Sequence, residues 1–349
     1  MKIGRRILTA VLAAALLVTT ACSQDTTWVA EHQSVKLPAG VYNFYMMNNY
    51  SLASSKVEDP KGDVLSQKVE DVAAEQWIKD ATMKDVKRYF AIDRQFEQYG
   101  FALTEQDNLA IKEYAASQME ANKDFLTKNG ISLESLELYF TNNYKSNTMF
   151  MNLYGEGGEF EIPANDMKNY FTENYVNSQY IVVPKFDPNT GEPLEGEALE
   201  AAQKEAKDYY DRAAKGEESF SDILLSWELA QYEGEDKEEQ AADHTHEESD
   251  HDIIMQKTAL DFPEKYMELV NGATIGTPVS GEDDNYFYII LRKDVMSSAD
   301  ALERYTQQLM VDMKTEEYKE KVEAWAEEVE LSVNDAAVKL YTPKKLSLV

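Results

Sequence analysis

The sequence predicts an α+β protein, with short strands in the middle of the chain and helices on both sides of them. Two runs carry strand chemistry: Ser178-Gln179-Tyr180-Ile181-Val182-Val183 and Asn285-Tyr286-Phe287-Tyr288-Ile289-Ile290, both dense in β-branched and aromatic residues. Before them, Leu133, Leu136, Phe140 and Tyr144 recur at helical spacing. After them, Leu302, Tyr305, Leu309 and Met313, continued by Tyr318, Val322, Trp325 and Val329, draw one apolar stripe over about eight turns, which has to be buried.

At the N-terminus, Lys2, Arg5 and Arg6 precede the apolar run Ile7 to Val18 and then Thr19-Thr20-Ala21-Cys22. Residues 1–21 read as a secretory leader, because the apolar run is too short to cross a bilayer. Cys22 is the single cysteine of the chain, so no intramolecular disulfide can form. The sequence around it resembles a bacterial lipobox, with Thr19 where that motif prefers Leu, and the resemblance implies a lipidated Cys22 that anchors the chain to a membrane surface. The plainer alternative is a spare thiol beside an ordinary cleavage site. Residues 22–40 then hold the lipidated Cys, a polar tether over Ser23 to Thr27, a short strand from Trp28 to Val35, and a turn at Leu37-Pro38-Ala39-Gly40.

Residues 41–175 read as a mostly helical segment. Val41, Phe44 and Tyr45 open an aromatic helix, Ser54 to Gly62 form a loop, and helical spacing returns at Val69, Val72, Ala73 and Trp77. Thr104 with Asp107 forms a capping-box start, Asn129-Gly130 is a helix stop, Ser132 caps the next helix, and Ala164-Asn165-Asp166 begins a short one through Met167, Tyr170 and Phe171. In residues 296–349, Ser297 and Asp300 are spaced to cap the long C-terminal helix. His32, alone beside the first strand, reads as structural.

Between the two strand runs, Phe220 to Ser226 follows "F-x-x-L-A-x-x-x-S" loosely, and Phe262, Leu269 and Gly272 to Val279 follow "F-x-x-A-x-F-x-L-x-x-G-x-I-x-x-P-V" better. The order and spacing of these pieces resemble the parvulin family of prolyl isomerases, whose opening strand reads Ala-Ser-His-Ile-Leu-Val and whose closing strand reads Phe-Gly-Tyr-His-Ile-Ile. In both strands tyrosine, Tyr180 or Tyr288, stands where the family carries histidine, and Thr258 stands where the family often has a pocket methionine. Helix-rich segments flanking such a domain resemble the PrsA-type foldase lipoproteins and the SurA-type chaperones. The resemblance implies a discontinuous helical chaperone domain, its N-terminal segment at 41–175 packed on its C-terminal segment at 296–349, with a parvulin-like domain of small antiparallel sheet and helices inserted at 176–295. It also implies a degenerate pocket of Tyr180, Tyr288 and Phe262, with Phe262, Leu269, Tyr180 and Tyr288 contacting the client. Phenols donate and accept hydrogen bonds, but a reference pKa near 10 removes the protonation flexibility of imidazole.

An acidic insertion at 233–252 replaces the family's Gly-rich link. It carries His244, His246 and His251, three of the four histidines, among carboxylates, a donor set that suits weak binding of Zn²⁺. With almost no apolar residues, the run also reads as a solvated loop.

The chain has 64 acidic and 34 basic residues, a net charge of −30, which excludes nucleic acid and anionic lipid as partners and favours basic or neutral ones. None of its 15 glycines builds a phosphate-binding loop, no Gly-x-Ser-x-Gly elbow occurs, and no cofactor is implied beyond that possible weak Zn²⁺. The expected function is an extracytoplasmic, membrane-anchored folding factor on the outer face of the cell membrane, binding unfolded or newly secreted polypeptides with prolyl isomerisation weak or lost. An active peptidyl-prolyl isomerase is the alternative, and a metal-handling lipoprotein is the third.

Overall fold

The computed structural model describes residues 25–231, 251–298 and 300–347. Its helices and small antiparallel sheets make it an α+β protein, as expected. The described chain divides into two compact units, one formed by the residues up to Met149 together with those from Glu320 onward, the other by Phe150–Lys319. Cys22 lies outside the described residues, and among those described no helix is long and apolar enough to cross a membrane.

The first unit opens with β1 (Trp28–His32) and β2 (Val35–Pro38), which form a hairpin, while β9 (Ser332–Val333) pairs with the other side of β1. The expected single strand from Trp28 to Val35 is therefore two strands. Its turn lies at Gln33 and Ser34, both at positive φ (48° and 71°), and α1 (Ala39–Lys56) starts directly after Pro38. The same happens at β3 (Lys68–Val69) and β4 (Val72–Ala73), where Glu70 and Asp71 have φ of 52° and 67°. Val69, Val72 and Ala73 thus belong to a hairpin, and only Trp77 of the expected helical set lies in α2 (Ala74–Gln98). Two-residue turns with both φ positive match the strand twist, and they usually announce themselves by Asn-Gly or Asp-Gly, which neither site has.

The expected helix ends stand. Thr104 Oγ1 accepts from Asp107 N (3.1 Å) while Asp107 Oδ2 accepts from Thr104 N (2.8 Å), opening α3 (Glu105–Ala121). The short α4 (Lys123–Lys128) stops at Asn129 and at Gly130, whose φ of 69° is a left-handed stop, and Ser132 Oγ accepts from Ser135 N (3.2 Å) before α5 (Leu133–Tyr154). The core gathers Leu37, Tyr42, Met46 and Ile78 with Val329 and Ala337 from the C-terminal end, where α11 (Asp335–Leu340) follows β9. His32 Nδ1 is bonded to the Glu330 carbonyl (2.8 Å), a structural role.

The second unit contains α6 (Ala164–Asn174), β5 (Tyr175–Pro184), α7 (Gly196–Lys215), α8 (Phe220–Gln231), β6 (Ile253–Gln256), α9 (Glu264–Gly272), β7 (Pro278–Glu282) and β8 (Tyr286–Lys293). The helix α10 (Ala301–Glu327) leads the chain out of it. Ser297 does not cap α10: its Oγ accepts from Asn177 Nδ2 (3.3 Å), and Asp300 stands beside the helix start with its carbonyl bonded to Arg304 N (3.0 Å).

The four strands form an antiparallel sheet in the order β6-β5-β8-β7. Side chains alternate across it with period two. Ile181, Val183, Phe287 and Ile289 pack with α7 and α8, whereas Val176, Tyr288 and Ile290 pack with α9. At one end of β5 three polar residues, Asn177, Ser178 and Gln179, are fully buried. Asp252, whose side chain is only 5 % exposed, accepts from Asn177 Nδ2 (2.9 Å), Gln179 Nε2 (2.9 Å) and Lys293 Nζ (2.8 Å). The last residue of the acidic run is thus an internal anchor, not part of a solvated loop. Replacing it by Ala withdraws the acceptor shared by three strand residues, so Asp252→Ala should lower unfolding stability by about 3–5 kcal/mol, measured by denaturant titration, whereas Asp284→Ala in an exposed turn should change it by less than about 0.5 kcal/mol.

Candidate functional site

Register brings the two family-position tyrosines together. Tyr180 lies opposite Ile290 and Tyr288 opposite Val182, so the two are diagonal neighbours on the same face of the central strand pair. Phe262, just before α9, and Leu269 on that helix belong to the same cluster, so all four client-contact candidates converge on one face of the sheet. Thr258 is exposed.

Two residues that sequence reasoning missed complete this face. Tyr266, on α9 and fully buried, sits between the others: its ring is 5.3 Å from that of Tyr180 in an edge contact, 6.3 Å from that of Tyr288, and stacked 5.4 Å from Phe262 at 20°. Its hydroxyl is bonded to Ser178 Oγ (2.6 Å), the inward polar residue of β5. The signal in the sequence was the i, i+4 step from Phe262, obscured by the intervening Pro263 that opens the helix. The second is Asp283, in the β7–β8 turn. Its Oδ1 accepts from Asn285 N and Tyr286 N (both 2.8 Å), while its Oδ2 accepts from the Tyr288 hydroxyl (2.7 Å). The Asp-x-Asn pattern marks the turn, but nothing in it announces the reach to Tyr288.

These contacts set the electrostatics. Burial pushes the Tyr266 phenol up to about 12, against the opposing hydrogen bond from Ser178. Burial, and then the bond to the Asp283 carboxylate and its charge, push the Tyr288 phenol well above the usual tyrosine range. For Asp283 itself burial works against ionisation, yet the bonds from Tyr288, Asn285 and Tyr286 and the charge of Lys185 hold the carboxyl below its ordinary value. The face is therefore an aromatic floor with neutral hydroxyls. Its partly buried edge can hold apolar side chains, while the hydroxyls of Tyr266 and Tyr288 are buried and committed to Ser178 and Asp283, and it has no group of the imidazole kind that changes charge near neutral pH.

Close fit continues at the rim. A Cβ on Gly281 would lie 2.8 Å from Leu269 Cδ1, so the glycine leaves the Leu269 side chain its place against β7 and a larger residue would make that side chain shift. Tyr180, Phe262 and Leu269 are only partly buried, which leaves apolar surface at the edge of the floor.

The expected metal set does not come together in the described residues. His244 and His246 lie outside them, and His251 is within 3.2 Å of Glu228 Oε1 through Nδ1, its side chain 14 % exposed. Among the described residues no group of three or more His, Cys, Asp or Glu could hold a metal ion.

No protein-family model matches the chain, and no curated protein matches it. Solved structures to which it is similar include PrsA foldases. The foldase protein PrsA of Streptococcus pneumoniae is 16% identical over 80% of this chain and 96% of that one, with a TM-score of 0.35. PrsA of Lactococcus lactis is 10% identical over 92% and 99%, with a TM-score of 0.37, and PrsA of Bacillus subtilis is 12% identical over 82% and 97%, with a TM-score of 0.30. At these identities and TM-scores the likeness carries no argument about activity, which rests on the residues described above.

The Tyr288 to Asp283 bond has a pH signature. The folded carboxyl of Asp283 titrates below its unfolded value of about 3.9, so its contribution is present above that value and is lost as pH falls through the folded pKa. Tyr288→Phe should move the Asp283 titration upward in carbon-detected NMR and lower stability at pH 7 by about 1 kcal/mol, a difference that shrinks in acid. Tyr266 acts in the opposite direction: its phenol is raised, so its contribution is complete below about 10 and is lost as pH rises toward about 12. Tyrosinate absorbance should report that loss, and Tyr266→Phe should remove it.

Proposed function

We propose that the protein is an extracytoplasmic folding factor, anchored by a lipid on Cys22, that holds unfolded or newly exported polypeptides and has little or no prolyl isomerase activity. The observation that carries this reading is the cluster itself: the partly buried Tyr180, Phe262 and Leu269 offer an apolar edge that rests on the buried rings of Tyr266 and Tyr288, where neither deep ring reaches a client and the Tyr288 hydroxyl is committed to Asp283. Such a surface takes up apolar and aromatic side chains of a client by burial alone, at roughly 25 cal/mol per Å². Rotation about an X-Pro bond faces a barrier of about 20 kcal/mol, and the resembled isomerases place two histidines where this chain places two phenols. The net charge of −30 favours basic or neutral clients and keeps the anchored body away from anionic lipid. The leader and the lipobox-like run at Thr19 to Cys22 support the location and the anchor.

The test pairs two assays on the purified protein. Isomerisation of a set of X-Pro peptides should stay near the uncatalysed time of about 10–100 s, while aggregation of an unfolding client is suppressed at near-stoichiometric protein. Tyr180→Ala and Phe262→Ala should weaken that suppression several-fold. Efficient turnover that disappears in Phe262→Ala would instead establish an active isomerase. For the anchor, labelled palmitate should enter the wild-type protein in cells and not the Cys22→Ser variant.

A further inference from the structure

We infer that the outer edge of β7, with the cleft beside it between α7 and the sheet, binds a second length of extended polypeptide by strand addition. The inference deepens the proposed function, resting on the reading that the protein holds unfolded chains, but it uses a different face of the sheet. Among the described residues, the last strand in the order β6-β5-β8-β7 is paired on one side only. An open edge offers a row of backbone donors and acceptors whose natural partner is another strand, and folded proteins usually guard it with proline or charge. Here Pro278 guards one end of β7 and Glu282, paired with Lys185 Nζ at 2.7 Å, guards the other. Val279, Ser280 and Gly281 between them carry no charge, and Ser280 is exposed.

A cleft of about 500 Å³ lies directly beside that stretch, and the apolar part of its lining comes from Ala206, Tyr210, Phe287 and Ile289. Ser280 is paired opposite Ile289 and Glu282 opposite Phe287, so alternate residues of β7 stand on the cleft side, while Gly281 faces Leu269 on the other. A strand added to β7 continues this alternation: every second side chain enters the cleft and the rest lie on the α9 side. The occupant is therefore an extended segment of about five residues, near 17 Å long, with apolar side chains at alternate positions. The net charge of −30 excludes acidic segments and favours basic residues at the intervening positions. Because the cleft lies on the α7 side and the aromatic floor on the α9 side, one client could occupy both.

The probe is a ten-residue, proline-free peptide of alternating Val and Lys, with a copy methylated on every second backbone nitrogen, added to the purified protein and followed by residue-resolved hydrogen exchange and by titration. Exchange over Val279 to Glu282 should slow about tenfold and the methylated copy should bind about tenfold more weakly, because it cannot form the ladder. Gln203→Trp, an exposed change on the cleft rim, should weaken binding by a similar factor, and Leu109→Ala, an exposed change in the first unit, should leave it unchanged. Equal binding of the methylated copy, or slowing confined to α9 and the tyrosines, would overturn strand addition while leaving the proposed function standing. Protection of β7 that grows with protein concentration and without peptide would show a second copy on the edge and overturn it as well. Peptide-dependent slowing at β7, with client holding insensitive to Phe262→Ala, would keep strand addition and remove the aromatic floor from the proposed function.

Discussion

The pairing of β5 with β8 is the constraint on which the rest of the second unit depends. Because side chains alternate, this single register decides that Ile181, Val183, Phe287 and Ile289 meet α7 and α8, and that Tyr180, Tyr288 and Ile290 meet α9. A slip of one residue would exchange the two faces and bring the phenols under α7. Apolar burial alone does not forbid this, since both faces are apolar. The buried polar end of β5 does. Asn177 and Gln179 point to the side where Asp252 waits, and Ser178 points to the Tyr266 hydroxyl. In the slipped register these donors would be buried without acceptors, at a cost of about 1–3 kcal/mol each.

That lock explains what was legible in the sequence and what was not. The strands were readable from their composition, and the helix ends at Thr104, Asn129-Gly130 and Ser132 from local chemistry that acts within four residues. The hairpins at Gln33-Ser34 and Glu70-Asp71 were not, because their turns use residues whose ordinary preference is different and which accept positive φ only under the pairing of the flanking strands. Asp252 was hidden for another reason. It ends a run of carboxylates that composition alone reads as solvated, and its role depends on Asn177, Gln179 and Lys293, which are distant in sequence. The same holds for the candidate site. Tyr180, Tyr288, Phe262 and Leu269 could be found by order and spacing, whereas Tyr266 and Asp283 act through packing and through one hydrogen bond across a turn.

The chemistry of the floor follows from how the phenols are held. A tyrosine hydroxyl buried in an aromatic cluster must find a partner or lose about 1–3 kcal/mol, and each of the deep ones has found one: Tyr266 in Ser178, Tyr288 in Asp283. Those partners also fix the rings, since a phenol tied at its oxygen and packed on its faces has little rotamer freedom left to lose. A rigid apolar surface binds with a smaller entropic penalty than a mobile one. The same partners commit the hydroxyls. Tyr288 donates its hydrogen bond to a carboxylate that already accepts from two backbone amides, so offering that hydroxyl to a rotating amide means breaking a satisfied bond.

The rigidity of the rings and the commitment of their hydroxyls therefore come from one set of bonds. Restoring imidazole at position 288 alone would not restore an acid or base to the pocket, because Asp283 stays within the same turn and an imidazole reaching it would be held as the charged form. Its proton would be fixed toward the turn and away from a client. Freeing an imidazole at that position has to remove the Asp283 side chain together with the phenol, and removing Asp283 also releases the amides of Asn285 and Tyr286 that shape the turn between β7 and β8. The turn that ties down the tyrosine is the turn that positions the edge strand, so the commitment of the phenol and the placement of β7 depend on a single structural element.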